Sequence, residues 1–287
     1  MKLGIGTAQF GNDYGIANQR GQPKLKEQKS ILKFAKKNGI DMLDTAIDYG
    51  DSENNLGKCG VGEFKVITKI PTIPDNLFNV TEWMREHVHN SLLRLDTSSI
   101  YGLLLHRSSD LFKYNGEVIK FLKNLKVSKL VKKIGVSIYS PYELEVIFKK
   151  TSIDIIQAPF NIIDQRLQTT GWLSKLNSLN IEVHVRSVFL QGLLLLPRNK
   201  IPKKFIVWKK IWDKWYEWQD KHQEVSALQA CLGFVNIKEI NRIIIGIDSL
   251  QQIKEIVSTK KIFKKISYPN LASNDIKLLH PSNWKNL

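Results

Sequence analysis

The sequence contains little cysteine and no long apolar run. Cys59 and Cys231 are its two cysteines among 287 residues, and two distant thiols support neither a disulfide framework nor a cysteine-based metal site. We therefore expect a reducing compartment and no metal ion. No segment approaches the roughly 18–20 consecutive apolar residues that span a bilayer, and glycines after Met1 interrupt the apolar character too early for a signal peptide. The expected location is the cytoplasm, without a membrane partner.

Acidic residues are scarce relative to basic ones. The chain has 27 Asp and Glu against 43 Lys and Arg, which gives a formal net charge of +16. A field of this sign favours anionic ligands such as nucleotides, phosphorylated sugars or nucleic acid. The lysines, however, are spread over nearly every predicted helix, and runs such as Lys36-Lys37 and Lys203-Lys204 are not dense enough for a nucleic-acid tail. The charge distribution favours solvated helix faces over nucleic-acid binding.

No linker rich in Pro, Gly or Ser and no low-complexity tract divides the chain. Apolar residues make up 43% and charged residues 24%, as in a folded globular domain. Eight short apolar segments alternate with eight segments of helical periodicity, and the apolar segments lack polar alternation, which is typical of parallel strands covered on both faces. The sequence predicts one α/β domain over residues 1–287, a (β/α)8 TIM barrel of about 250 residues with a short tail.

Two segments depart from this repeat. A tryptophan-rich helical insertion is expected near residues 198–220, where Trp208, Trp212 and Trp215 follow the i, i+4, i+7 spacing of one helix face. This spacing favours packing onto the barrel, with a wall of the substrate site or a dimer contact as the alternative. The tail, from about residue 262, is predicted as coil or a short helix. The expected assembly is a monomer or a weak homodimer.

Four residues suited to carbonyl chemistry lie at or just after the ends of successive predicted strands: Asp44, Tyr49, Lys69 and His106. The C-terminal strand ends of a barrel meet on one face. Reduction of a carbonyl requires a proton on its oxygen, and a phenol with a pKa of about 10 donates slowly unless its anion is stabilised. We expect Lys69 to lower the pKa of Tyr49, Asp44 to orient Lys69, and His106 to orient the substrate.

The stretch around Tyr49 has a longer pattern. Residues 44–57 read D-T-A-x-x-Y-G-x-S-E-x-x-L-G, which resembles the signature of the aldo-keto reductases, barrel-shaped nicotinamide oxidoreductases. Asp44, Tyr49, Lys69 and His106 are similar to the catalytic tetrad of that family. The resemblance, which extends over nearly the whole chain, implies a reductase that passes hydride between a nicotinamide cofactor and a small aldehyde, ketone or sugar-like carbonyl.

The resemblance also implies a cofactor site. Gly6 and Thr7 resemble the opening strand of the family, Ser137 and Gln157 resemble the residues that contact the nicotinamide amide, and Ser187 and Gln191 lie in a segment similar to the loop over the pyrophosphate. Many relatives have Asn where this chain has Ile138, and an aromatic ring on the nicotinamide where it has Arg186. Arg186 is expected either to stack on the cofactor or to form a salt bridge at the strand end.

The last predicted strand and helix resemble the adenosine end of the cofactor site. By this resemblance Gly246, Ser249, Gln252 and Glu255 line the adenosine, and the helix N-terminus suits a phosphate. NADP is the usual cofactor of the family, but relatives that prefer it carry Lys or Arg where this chain has Asp248 and Gln252, so NAD or dual use stays open.

A second hypothesis is a cofactor-binding regulatory or interaction protein that keeps the barrel, has little turnover and uses the tryptophan-rich helix as a docking surface. The intact tetrad argues against it. The identity of the substrate does not follow from the sequence, because loops form the walls of its pocket.

Overall fold

The protein is a closed barrel of eight parallel strands in sequence order, described by a computed structural model over residues 1–259 and 266–287. β1 pairs with β2 on one side and with β8 on the other, which closes the sheet. This confirms the predicted (β/α)8 fold class. The strands are β1 Leu3–Gly6, β2 Met42–Asp44, β3 Lys65–Ile70, β4 Ile100–Leu105, β5 Val131–Ser137, β6 Ile155–Pro159, β7 Glu182–Arg186 and β8 Arg242–Gly246.

Helices cover the outer face of the sheet. They are α1 Ala8–Gly11, α2 Leu25–Lys37, α3 Ser52–Cys59, α4 Val80–Leu95, α5 Glu117–Val127, α6 Glu143–Lys150, α7 Arg166–Thr169, α8 Trp172–Ser178, α9 Lys209–Lys221, α10 Ala227–Val235, α11 Leu250–Thr259 and α12 Ile276–Leu279. The periodicity predicts a single helix over residues 168–179, and that expectation is wrong. Gly171 has a φ of 78° and separates α7 from α8, because the left-handed region ends a helix.

The interior of the barrel is filled by apolar side chains. Met42, Ile67, Leu104, Ile155 and Ile244 form a buried cluster inside the sheet. Because these side chains close the interior, the barrel is a packed core and leaves space for a ligand only at its ends. None of the helices in the described ranges is long and apolar enough to cross a membrane.

A polar cluster around Glu182 lies at the N-terminal end of the strands. Glu182 accepts hydrogen bonds at 2.7 Å from the hydroxyl of Tyr101 and from Nζ of Lys133, and its other oxygen lies 3.2 Å from Nε2 of His184. Burial alone would raise the pKa of Glu182, but hydrogen bonds from His184, Lys133 and Tyr101 outweigh it and lower that pKa. Burial lowers the pKa of His184, which is fully enclosed.

The tryptophan-rich insertion packs inward. Its 3₁₀ turns Arg198–Lys200 and Lys203–Trp208 lead into α9, so Trp208 precedes the helix. Trp212, Trp215 and Trp218 are buried. The indole N–H of Trp215 donates to the carbonyl of Leu194 at 3.2 Å, which ties α9 to the segment after β7.

The C-terminal segment lies against the same insertion. Trp218 donates to the carbonyl of Ser267 at 2.8 Å, and Trp208 donates to the carboxylate of Asp275 at 2.8 Å. The predicted start of the tail, about residue 262, lies outside the described residues. Beyond it the chain forms α12 and a 3₁₀ turn, Pro281–Asn286.

Candidate active site

A buried ion pair lies at the C-terminal end of the barrel. Asp44 ends β2 and Lys69 lies near the end of β3, and Nζ of Lys69 is 2.7 Å from Oδ2 of Asp44. The same ammonium group donates to the carbonyl of Thr45 at 2.8 Å. Burial lowers the pKa of Lys69, and the charge and hydrogen bond of Asp44 oppose that shift. The lysine is therefore held in one position by neighbours that favour its charged form.

Hydroxyl groups of the 44–57 segment hold the loop after β2. The Oγ atom of Ser52 lies 3.0 Å from Oγ1 of Thr45 and donates to the carbonyl of Thr7 at 2.9 Å. Thr7 in turn donates through Oγ1 to the carbonyl of Asp44 at 3.1 Å. All these groups are buried. The threonine and serine of the signature thus fix the backbone that carries Asp44.

Glu53, the next signature residue, anchors α3. Its buried carboxylate accepts from Thr68 at 2.5 Å and from Ser91 at 2.6 Å, and it pairs with Arg94 at 2.7 Å. Because Thr68 precedes Lys69 on β3, this network positions the strand that carries the lysine.

Close backbone packing holds the Tyr49 loop. A Cβ atom at Gly11 would lie 1.7 Å from the carbonyl oxygen of Tyr49, so only glycine allows α1 to approach this loop. The ring of Tyr49 lies edge-on to the ring of His106, with centroids 5.7 Å apart and an interplanar angle of 71°. The ammonium of Lys69 lies 5.1 Å from the centroid of the tyrosine ring. These contacts bring the four predicted catalytic residues together.

The pKa of Tyr49 runs against the sequence-based expectation. Burial raises it above 10, the negative charge of Asp44 raises it further, and the charge of Arg186 lowers it only in part. The net shift is therefore opposite in direction to the lowering expected from Lys69. The physical reason is that Asp44, in contact with Lys69, offsets the positive charge of the lysine at the phenol. The raised pKa favours the protonated form of Tyr49 in the free protein.

A cavity of about 590 Å³ opens at this end of the barrel. Tyr49, His106 and Asp44 lie in its wall. Thr7, Lys69 and Ser249 are not in the wall and lie buried. The other predicted site residues that line the cavity are Gly6, Ser137, Gln157, Arg186, Ser187, Gln191, Gly246, Gln252 and Glu255.

Gln157 connects the ion pair with the predicted nicotinamide position. Its Nε2 atom donates to Oδ1 of Asp44 at 2.7 Å, while its Oε1 atom is buried and has no partner in the part of the chain that the structure describes. Ser137 is its register neighbour on β5. An unpaired buried acceptor in a cavity wall fits the N–H groups of a carboxamide, because burial without a hydrogen bond is unfavourable. These residues fit the predicted nicotinamide amide.

Arg186 contacts an aromatic ring and two neutral acceptors of the protein. Its guanidinium lies 4.5 Å from the ring centroid of Tyr139 and donates to the carbonyl of Ile138 at 3.1 Å and to Oγ of Ser187 at 3.3 Å. No carboxylate of the described residues lies within salt-bridge distance of it, so the predicted strand-end salt bridge is wrong. Its stacking partner within the protein is a tyrosine.

The predicted adenosine end is rich in acidic groups. The backbone N–H of Leu250, at the start of α11, donates to the carboxylate of Glu27 at 2.7 Å. Ser249 accepts from the backbone N–H of Gln252 at 3.3 Å. Asp248 lines the cavity, and one of its carboxylate oxygens is buried with no hydrogen-bond partner among the described residues. A carboxylate thus occupies part of the helix N-terminus that the sequence assigns to phosphate.

Tyr14 and Ala17, in the loop after β1, also line the cavity and are missed by the sequence reasoning, whereas the loop after β7 is among the predicted cofactor residues. The amide of Gln191 donates to the hydroxyl of Tyr14 at 3.0 Å, and its backbone carbonyl lies 3.4 Å from the backbone nitrogen of Ala17. The segment after β7 has positive φ values at Ser187, Leu190, Gln191 and Gly192. Only Gly192 signals such a turn in the sequence. Among the described residues, no group of three His, Cys, Asp or Glu side chains is arranged to hold a metal ion.

Comparisons with known proteins agree with this geometry. The model of the aldo/keto reductase family matches residues 2–267. A D-arabinose 1-dehydrogenase of Saccharomyces cerevisiae is 31% identical over 137 residues, which cover 43% of this chain and 41% of that protein. The aldo-keto reductase YhdN of Bacillus subtilis is 27% identical over 179 residues, which cover 58% of this chain and 52% of that protein. The chain thus spans about half the length of these curated relatives.

Solved structures share the fold at low identity. The holo form of aldo-keto reductase AKR11C1 from Bacillus halodurans has a TM-score of 0.70 at 20% identity, covering 94% of this chain and 89% of that chain. An aldo-keto reductase from Klebsiella pneumoniae, solved in complex with NADPH, has a TM-score of 0.67 at 15% identity, covering 92% and 86%. With the family model matched from residue 2 to residue 267 on a closed eight-stranded barrel, this chain belongs to the aldo/keto reductase family.

Proposed function

We propose that this protein is a nicotinamide-dependent oxidoreductase that reduces an aldehyde, ketone or sugar-like carbonyl, or oxidises the corresponding alcohol, with Tyr49 as the general acid and base. The observation that carries the proposal is the buried pair of Asp44 and Lys69, whose ammonium lies 5.1 Å from the ring of Tyr49 beside a cavity. Family membership and the names of the curated relatives, one of them a sugar dehydrogenase, support the reaction class.

The cofactor supplies or accepts a hydride at the carbonyl carbon when it is bound. Ser137 and Gln157 would hold its amide, since both line the cavity and Gln157 has a free acceptor there. The turn from Ser187 to Gly192 and the start of α11 would hold its phosphate and adenosine parts. Gln191 and Tyr14, which both line the cavity, are joined by a hydrogen bond, and this contact would limit the access of water to the bound groups.

Tyr49, Lys69 and His106 would carry out the proton transfer to and from the substrate oxygen. Tyr49 holds its proton in the free protein because burial and Asp44 raise its pKa. Donation to the developing alkoxide oxygen leaves a phenolate, and the ammonium of Lys69 is positioned to stabilise it. His106, edge-on to the tyrosine ring, would donate a hydrogen bond to the same oxygen and orient it. In the oxidative direction the phenolate takes the proton back.

The test of this assignment is replacement of Tyr49 by Phe. We expect kcat for carbonyl reduction to fall by at least about 100-fold, since proton transfer by a positioned group contributes roughly 10²–10⁴-fold, while the Kd of the reduced cofactor stays within about threefold. Replacement of Tyr142, an exposed tyrosine on the same protein, by Phe is the matched control and should leave both quantities unchanged. Retained turnover in the Tyr49 variant with a good substrate would show that another group donates the proton.

The preference between NADP and NAD is a finer proposal. NADP is supported by the family default and by the Klebsiella pneumoniae structure solved with NADPH. The charges at the adenosine end oppose a 2′-phosphate, because the carboxylate of Glu27, a residue of α2, accepts from the backbone N–H of Leu250 at the start of α11, and because Asp248 and Glu255 line the cavity. We therefore propose that NAD binds at least as well as NADP.

Titration with NADH and NADPH tests this preference directly. In the wild type we expect the Kd of NADPH to equal or exceed that of NADH. Replacement of Glu27 by Gln should lower the ratio of the Kd of NADPH to that of NADH by about threefold or more, because the negative charge of the carboxylate no longer repels the 2′-phosphate. A wild-type Kd for NADPH that is tenfold below that for NADH would refute the proposal.

A further inference from the structure

Arg186 differs from the other enclosed arginines in its partners. Among the described residues, Arg94 pairs with Glu53, Arg166 with Asp164 and Arg242 with Asp41, each at 3.2 Å or less. Arg186 is half-buried, and the hydrogen-bond acceptors that it meets within residues 1–259 and 266–287 are neutral, the carbonyl of Ile138 and the hydroxyl of Ser187. A guanidinium carries several N–H donors in a fixed fork. Its charge and part of its donor capacity are therefore left for a ligand.

The guanidinium is held in a defined position. The ring of Tyr139 packs on it with a distance of 4.5 Å to the ring centroid, and the ring of His280 packs on Tyr139 at 3.8 Å. The backbone carbonyl of Tyr139 accepts a hydrogen bond from Arg166 at 2.9 Å. Because these contacts restrict the side chain before a ligand arrives, less conformational entropy is lost on binding.

The direction of the side chain places it near the reacting carbonyl. Arg186 ends β7, where it pairs with Pro159 of β6, yet its guanidinium reaches the carbonyl of Ile138 just after β5. It therefore extends across the end of β6, away from β8 and α11, where the adenosine end is predicted. Tyr49 and His106 line the same cavity. Arg186 and the proton donor thus face one ligand space.

From these contacts we infer that Arg186 is a specificity-determining residue that binds an oxyanion of the substrate, a carboxylate or a phosphate, while the carbonyl group lies against Tyr49 and His106. The inference rests on the carbonyl reduction proposed above and names its substrate class, an anionic carbonyl compound. A planar guanidinium matches the two oxygens of a carboxylate or phosphate in a bidentate manner. The net charge of +16 attracts such substrates over a longer range.

A matched pair of aldehydes tests the inference by kinetics. One is 4-carboxybenzaldehyde and the other is its methyl ester, which keeps the ring and removes the charge; glyceraldehyde 3-phosphate and glyceraldehyde form the pair for phosphate. For the wild type we expect kcat/KM to favour at least one anionic member. Replacement of Arg186 by Gln should reduce kcat/KM for that member by about tenfold or more and change the neutral partner by less than about threefold.

Two further variants separate charge from fold. Replacement of Arg186 by Lys keeps the positive charge but removes the planar pair of N–H donors. This variant should therefore retain only part of the preference in kcat/KM for the anionic substrate. Replacement of Arg20, an exposed arginine, by Gln removes the same net charge elsewhere and should leave the preference unchanged. An equal loss for the anionic and neutral members, or a Kd for NADH or NADPH that rises in step with that loss, would overturn the inference and assign Arg186 to the cofactor.

A binding measurement separates this inference from the proposed reaction. Succinamate has one carboxylate and an amide carbonyl that resists reduction, and succinamide is its neutral counterpart. We expect calorimetry on the wild type, with the reduced cofactor present, to detect succinamate binding that is lost in the variant with Gln at position 186. Binding of this kind without turnover of any aldehyde would refute the reductase proposal alone, whereas equal affinities for the two compounds would refute the role of Arg186.

Discussion

Nε2 of Gln157 donates a hydrogen bond of 2.7 Å to Oδ1 of Asp44, a residue 113 positions earlier in the chain. Oδ2 of the same carboxylate accepts from Lys69 at 2.7 Å. Asp44 therefore has a charged partner on one oxygen and an amide on the other. Gln157 links the predicted catalytic residues to the predicted nicotinamide position, because its own Oε1 atom has no partner among the described residues.

Replacement of Gln157 by Leu should affect stability and cofactor binding together. The substitution leaves Oδ1 of the buried Asp44 without its donor, and an unsatisfied buried group costs about 1–3 kcal/mol. It also removes the free acceptor in the cavity wall, so the Kd of the cofactor should rise. Urea unfolding and cofactor titration measure the two effects. An unchanged free energy of unfolding would show that water replaces the amide at Asp44, and an unchanged Kd would remove Gln157 from the cofactor site.

The raised pKa of Tyr49 predicts the pH dependence of its ionisation. Burial, then the charge of Asp44, place this pKa above the ordinary phenol value of 10, so the group stays protonated across the neutral and mildly alkaline range. An ultraviolet difference titration between the wild type and the variant with Phe at position 49 isolates this phenol. We expect no phenolate signal in the difference below about pH 10. A midpoint near pH 8 would mean that the charge of Lys69 outweighs burial and the charge of Asp44 at this phenol.

The convergence of Asp44, Tyr49, Lys69 and His106 could be predicted because it depends on strand order alone. Each residue lies at or just after a strand end, and parallel strands in a barrel place these ends on one face. The partners of these side chains depend on rotamers and on loops far apart in sequence. The hydrogen bond from Gln157, the stacking of Arg186 on Tyr139 and the contact of Gln191 with Tyr14 arise in this way.

The direction of the pKa shift of Tyr49 does not follow from the sequence either. A lysine near a phenol lowers its pKa only if the charge of the lysine is not compensated. At Lys69 the compensation comes from Asp44, and burial adds a second effect of the opposite sign. The residue types at the site were predictable, but the net shift required the depth of the site and the distances within it.

The enclosed His184 predicts loss of stability in mild acid. Burial lowers its pKa in the folded protein, although Glu182 opposes the shift. Below about pH 6.5 the unfolded chain binds a proton on this histidine that the folded chain excludes. The free energy of unfolding therefore decreases as the pH is lowered, by at most about 1.4 kcal/mol per pH unit for one histidine. The window extends from pH 6.5 down to the folded pKa. Urea unfolding between pH 5.5 and about 7.5 measures this slope.

The variant with Gln at position 184 should show a shallower slope over the same range. His280 contributes a second slope of the same sign, because burial, and then the charges of Arg186 and Arg166, lower its pKa. A double variant with Gln at positions 184 and 280 should therefore be the least sensitive to pH. The histidine assignment is wrong if the single and double variants keep the full slope of the wild type.

Gly192 joins the segment after β7 to the loop after β1, and its replacement by Ala tests that contact. A Cβ atom at this position would lie 2.5 Å from Cβ of Ala17, and φ is +92°. Two separate costs are expected, backbone strain of about 1 kcal/mol and overpacking of about 1–3 kcal/mol. Replacement of Gly171 by Ala is the matched control, since its φ is +78° and a Cβ there meets nothing within 4 Å.

The difference between the two alanine variants isolates the steric part, which a second substitution should relieve. Replacement of Ala17 by Gly in the Gly192→Ala background removes the clashing methyl group, so the double variant should recover the overpacking cost and retain the backbone cost. Denaturant unfolding of the four proteins measures each step. Cofactor affinity should follow the same order, because this contact holds the turn that is predicted to cover the pyrophosphate. If Gly192→Ala is no worse than Gly171→Ala, the two loops separate easily and the contact does not hold the cavity closed.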